Sequence, residues 1–194
     1  MLYRTPADEC FGVTLTEQMH VADRIQPGQS KYALYQSICE QLQELVAGET
    51  NFVANAANTS ALLFHSLPDV NWVGFYIAEG EELVLGPFQG KPACVRIPFG
   101  KGVCGAAALN QETQVVHDVD KFPGHIVCDS TSRSEIVVPL LNWGRVLGVL
   151  DIDSASLNRF DEEDEEGLES VVSIFLSSQT TNDLPDLSEA AAEN

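Results

Sequence analysis

Hydrophobic positions follow two different periods along this chain, and the change of period divides it. From Lys31 to Val46, Leu34, Tyr35, Ile38, Leu42, Leu45 and Val46 recur at helical spacing, and Gly48 closes the run. Asn51–Leu67 predicts a second helix, rich in alanine and stopped by Pro68-Asp69, which should pair with the first as an antiparallel layer. Beyond it the pattern becomes that of strands. Trp72–Ala78 is apolar and aromatic, while Glu81–Gly86 alternates, with Leu83 and Leu85 on one face and Gly80 in the turn between the two runs. Ala93–Ile97 predicts a third strand after the Gly90-Lys91-Pro92 turn, Gly102–Asn110 a short alanine-rich helix and Gln114–Val116 a brief strand. Lys121–Ser132 holds Pro123, Gly124, Asp129, Ser130 and Thr131 and reads as a long loop. Ser134–Leu141 and Arg145–Ile152 form a hairpin across Asn142-Trp143-Gly144. Asp161–Ser178 is the closing helix, with Asp161 as its N-cap and acids crowding the positive end of its dipole.

This order of elements is α+β. It implies a central antiparallel sheet with helices packed on one face and a loop-roofed pocket on the other. Residues 1–30 include Pro6, Gly12, Pro27 and Gly28 without any period, so a loosely ordered N-terminal extension is expected there. Residues 31–178 form the domain. Residues 179–194 are small, acidic and alanine-rich, a composition that predicts disorder.

Charge narrows the choice of partners. Twenty-nine acidic against 10 basic residues give a formal net charge of −19. Such a surface repels phosphate backbones and anionic headgroups, so neither nucleic acid nor membrane is expected as a partner. No run reaches the roughly 18–20 apolar residues that cross a bilayer. MLYRTPADECFGV lacks the basic and apolar regions of a secretory signal, and a cytoplasmic protein is expected. Five cysteines are too few, and odd in number, for a disulfide scaffold. In a reducing compartment such cysteines are core fillers, metal ligands or reactive thiols.

Cys39 adjoins Ile38 on the first helix and reads as a small core residue, and Cys10 lies in the extension. Cys94, Cys104 and Cys128 differ, because all three stand near loops or element ends. Cys104 follows Gly100-Lys101-Gly102-Val103 at a helix start, where free amides favour a thiolate. Cys128 precedes a polar run ending in Arg133, and Cys94 opens a strand. The three suggest a nucleophile with resolving partners. Zinc is a weaker reading, since His125-x-x-Cys128 is the one short ligand spacing and no CxxC pair exists. A thiol hydrolase with His117 or His125 as base lacks any sign of an oxyanion hole. Glu135, Asp151 and Asp153 form a second group. Asp151 and Asp153 share one strand face, and the trio would bind a cation or supply a proton at the mouth of the sheet, unless it is simply a solvated strand end. Trp72 and Tyr76 also share a strand face and could wall a pocket.

The stretches NWVGFYI, LVLGPFQGKPACVRIPFGKGVCGAA, VVHDVDKFPGHIVCDSTSRSEIVVPL and GVLDIDS resemble the free methionine-R-sulfoxide reductase family of GAF-domain enzymes. The resemblance runs from about Lys31 to Leu176 and includes all three pocket cysteines in their local contexts. It implies a GAF-type fold and reduction of free L-methionine (R)-S-oxide. It further implies Cys128 as nucleophile, Cys94 as resolving thiol and Cys104 as a third participant. Glu135, Asp151, Asp153, Trp72 and Tyr76 would bind the substrate. No metal or organic cofactor is implied. Thioredoxin would be the reductant, with NADPH acting through it, and the protein would form a homodimer. The rival is a GAF sensor that binds a cyclic nucleotide or another small ligand without catalysis. Asn158-Arg159-Phe160 with Asp164-Glu165 loosely resembles the signature of such sensors, although a helix cap explains the same residues.

Overall fold

The computed structural model describes residues 30–126 and 129–179. Two helices open this region, α1 (Lys31–Leu45) and α2 (Phe52–Ser66), followed by strands β1 (Trp72–Glu79), β2 (Glu82–Gln89) and β3 (Arg96–Pro98). Then come α3 (Gly102–Asn110), β4 (Gln114–Val116), β5 (Ser134–Asn142), β6 (Arg145–Ser154) and α4 (Glu162–Ser177). The long helices start at side-chain caps. Ser30 accepts from the Ala33 amide and Asn51 from that of Ala54. Asp161 and Asp164 form a reciprocal capping box at the start of α4. The expected extension and tail lie outside the described residues, apart from Ser30 and Gln179.

The strands make one antiparallel sheet of six in the order β3-β2-β1-β6-β5-β4. Alternation divides its side chains between two cores. Val73, Phe75, Ile136, Val138, Leu140, Leu150 and Ile152 pack with α1, α2 and α4. Trp72, Tyr76, Val137 and Val149 face the other way and pack with Val103, Cys104, Ala107 and Ala108 of α3. The fold is the α+β arrangement expected, with one refinement. α3 lies on the pocket face, because its small residues let its backbone approach closely. A Cβ on Gly105 would come within 2.4 Å of the Pro98 carbonyl oxygen.

β3 differs from expectation in register. It starts at Arg96, not Ala93, so Cys94 precedes the strand and does not open it. The Leu85 amide bonds to the Val95 carbonyl at 2.9 Å, and the Cys94 carbonyl accepts from Tyr76 Oη instead of a strand partner. β2 in turn runs on through Pro87 to Gln89. Pro87 is tolerated there because it falls in the register shift with β1, between the Gly74–Phe88 and Tyr76–Leu85 pairs, and lies beyond the stretch of β2 that pairs with β3. The anticipated loop around Lys121–Ser132 begins with a 3-10 turn at Val119–Lys121, capped by Asp118.

Candidate active site

Strand register brings the acids together. Trp72 opposes Asp153 and Gly74 opposes Asp151 between β1 and β6, while Glu135 opposes Asp153 and Val137 opposes Asp151 between β5 and β6. Directly opposed residues share a face, so all three carboxylates point to the α3 side. There they line a cavity with Tyr76, Cys104 and His125. Glu135 and Asp151 are each 6% exposed, well inside the sheet, which rules out a solvated strand end. Asp153 is half-buried. The trio's one contact with a basic side chain within 4 Å among the described residues is from His125 Nε2 to Glu135 Oε2 at 3.9 Å, an ion pair only when the imidazole is protonated.

Burial of like charges sets the protonation. Desolvation, then Asp151 and Asp153, holds Glu135 well above the usual carboxylate range. Desolvation alone raises Asp151 to about 7, and desolvation followed by Asp151 holds Asp153 high as well. The three titrate as a group that retains protons near neutrality.

Cys104 is the main correction to the sequence reading. It does sit in the first turn of α3, but its Sγ is buried against Glu135 Oε1 at 3.7 Å. Burial first, then Asp151 and Glu135, push its thiol well above the ordinary value. Desolvation among acids outweighs the helix-start amides, so Cys104 is not an activated thiolate. Cys94 is disulfide-bonded, whereas Cys39 and Cys104 are free thiols. Cys128, expected as nucleophile, and Cys10 lie outside the described residues. Cys39 packs against the larger core, half-buried, as a filler would.

Tyr76 lines the cavity, but Trp72 does not. Trp72 is buried between Tyr76 at 5.9 Å and Phe88 at 5.4 Å, and its Nε1 donates to the Lys91 carbonyl. Its ring lies over Gly74, where a Cβ would stand 2.5 Å from it. Trp72 therefore buttresses Tyr76 from behind. His125 is at the cavity, with its pKa lowered by burial, whereas His117 is exposed and absent from the lining.

Sequence reasoning missed Ser132, Asp129 and Lys91. Ser132 and Asp129 line the cavity, Asn71 Nδ2 donates to Ser132 Oγ at 3.1 Å, and Lys91 pairs with Asp129 at 3.2 Å. The available signal was Asp129-x-Thr131, whose turn is closed by the Thr131 amide on Asp129 Oδ1. The sensor-like residues lie elsewhere. Arg159 pairs with buried Asp164 at 3.1 Å and donates to the Pro68 carbonyl, a structural role at the α1–α4 contact.

Comparison with known proteins identifies this arrangement. Residues 33–177 match the GAF domain family. The chain is 53% identical to free methionine-R-sulfoxide reductase of Escherichia coli over 143 residues, 74% of this chain and 87% of that protein. The chain belongs to the free methionine-R-sulfoxide reductase family. It is also 59% identical to protein YtsP of Bacillus subtilis, over 69% of this chain and 83% of that one. A structure of free methionine-R-sulfoxide reductase from Neisseria meningitidis in complex with its substrate superposes with a TM-score of 0.77. The two are 46% identical, across 88% of this chain and 98% of that one. Within the described residues no helix is long and apolar enough to cross a membrane.

Proposed function

We propose that this protein reduces free L-methionine (R)-S-oxide to L-methionine, with Cys128 as nucleophile and Cys94 as resolving thiol. The observation that carries this reading is the acid trio. Glu135, Asp151 and Asp153 surround one cavity, largely withdrawn from water, and no lysine or arginine among the described residues forms an ion pair with them. Such a site calls for a cation, and a free amino acid brings one in its ammonium group. The Escherichia coli and Neisseria meningitidis relatives, named for this activity, support the same reading.

The chemistry follows from the protonation. A sulfoxide sulfur becomes electrophilic when its oxygen takes a proton, and a carboxyl kept protonated near neutrality can give it. The Cys128 thiolate attacks sulfur, the oxygen passes to the cysteine, and methionine leaves behind a sulfenic acid. The Cys94 thiol condenses with that sulfenic acid, forming a disulfide and releasing water. A dithiol reductant, proposed as thioredoxin with NADPH behind it, exchanges with the disulfide and restores both thiols. The disulfide at Cys94 is consistent with this cycle. Cys104, bonded to Glu135, acts as a third participant by orienting that carboxyl. These steps need no metal or organic cofactor, and a cytoplasmic homodimer is the proposed setting.

Thioredoxin-coupled NADPH consumption with the separate epimers of free methionine sulfoxide tests the reading. Oxidation of NADPH with the R epimer alone is expected. Equal turnover of both epimers, or of neither, would overturn it.

A further inference from the structure

Three chemically different donors meet in the cavity from three elements. Cys104 Sγ of α3, a Glu135 oxygen of β5 and an Asp151 oxygen of β6 all lie within 4.8 Å of one another. Cys104 Sγ stands 3.7 Å from Glu135 Oε1. That is about the edge of a tetrahedron with a zinc–sulfur leg of ~2.3 Å and a zinc–oxygen leg of ~2.1 Å. Asp151 Oδ1 adds an independent sign of a missing ligand, for it is buried in the cavity wall with no hydrogen-bond partner. The cavity itself measures about 30 Å³, room for an ion and little more.

We infer that Cys104, Glu135 and Asp151 bind a zinc-type divalent cation, which inhibits the enzyme by occupying the substrate's place. The inhibitory part of this inference rests on the function proposed above, whereas the cation site does not. On binding, the Cys104 thiol proton and the protons held by Glu135 and Asp151 are released to solvent, and a thiolate with two carboxylates then surrounds the dication, leaving a fourth position to water. One soft sulfur and so few oxygens disfavour magnesium and calcium, which require more oxygen ligands. Because Cys104 is free while Cys94 is disulfide-bonded, the cage is complete in the disulfide form of the protein. An ion held by Asp151 and Glu135 leaves those oxygens unavailable to an ammonium, so the two ligands exclude each other.

Cobalt(II) titration of the full-length disulfide form tests this, since thiolate coordination gives a sulfur-to-cobalt charge-transfer band. One equivalent is expected, displaced by zinc and by saturating free methionine sulfoxide. Cys39→Ser should leave the band unchanged and Cys104→Ser should abolish it. The near-isosteric Asp151→Asn should weaken cobalt binding at least about tenfold, ~1.4 kcal/mol, with an unaltered circular dichroism spectrum. A band that survives Cys104→Ser, or simultaneous occupancy by cobalt and sulfoxide, would overturn the inference. A normal band in protein that reduces no sulfoxide would uphold the site while the proposed function failed. No band in protein that does reduce it would sink the site alone.

Discussion

Asp151 faces Gly74 on one neighbouring strand and Val137 on the other, so nothing beside it in the sheet compensates its charge. Its folded value of about 7 exceeds the unfolded 3.8, so between those values the folded chain keeps a proton that the unfolded chain has released. The stability this group contributes is complete below the unfolded value and is lost as pH rises through the folded one. Asp151→Asn has no charge to bury. Its melting temperature relative to the parent should therefore rise from about pH 5 to about pH 8, while methionine formation falls. Scanning calorimetry at the two pH values checks the sign, and a pH-independent difference would contradict a buried, protonated Asp151. The same acids should distinguish substrates. N-acetylation removes the ammonium, and N-acetylmethionine sulfoxide should react at least about tenfold more slowly, ~1.4 kcal/mol in the barrier. Comparable efficiency on both substrates would show that the trio does not read the ammonium. For the thiols, Cys128→Ser should yield no methionine, whereas Cys94→Ser should yield a single turnover that thioredoxin cannot recycle. A burst of methionine from Cys128→Ser in quenched-flow assays would reverse those roles. Sequence reading found the acids but misjudged Cys104. Local position exposed its helix start, whereas the acids that raise its pKa arrive only through the pairing of distant strands.

At the scale of elements, the cap of the closing helix and the hairpin turn were the legible features. Asp161 caps α4, and the positive φ of Trp143 and Gly144 turns the hairpin where the sequence indicated, whereas the caps Ser30 and Asn51 went unread. What escaped was governed by side chains from other elements. The run of β2 through Pro87 accompanies Phe88 stacking on Trp72, and the late start of β3 accompanies Tyr76 drawing the Cys94 carbonyl aside. The contact of α1 with α4 likewise rests on a buried cluster invisible in either segment alone. Asp164 accepts from Tyr35 Oη at 2.9 Å, pairs with Lys31 at 2.6 Å and with Arg159 at 3.1 Å. Removing the shared anion strands the guanidinium of Arg159 in a buried site, so Asp164→Ala should cost ~3–5 kcal/mol of stability. The cluster lies across the sheet from the cavity, so KM for the sulfoxide should hold at temperatures where the variant stays folded. Urea unfolding alongside steady-state kinetics checks both halves, and a raised KM at full folding would tie this cluster to the active site.

For the molecule as a whole, the redox state of Cys94 and the size of the cavity belong together. With Cys94 in a disulfide the space beside the acids is about 30 Å³. A cavity that holds benzene needs about 150 Å³, and methionine sulfoxide is larger than benzene. A ligand of that size therefore fits the disulfide form poorly, and the wall should move outward for an amino acid to settle against Asp151. Tyr76 links the two features, because it lines the cavity while its hydroxyl donates to the Cys94 carbonyl at 3.0 Å. Reduction frees the Cys94 segment from its covalent tie while its hydrogen bond from Tyr76 persists, so the reduced form should admit the ligand more readily. L-methionine, the product and a ligand that neither redox form can reduce, makes the comparison clean. Calorimetric titration should give a Kd at least about tenfold lower for the reduced protein, a difference of ~1.4 kcal/mol. That ordering would also have a use in the cycle, since methionine would leave as the disulfide forms and the oxidised enzyme would meet its reductant with little product bound. Equal affinities in the two forms would show that the cavity opens without help from the disulfide, and closure would then belong to ligand binding alone.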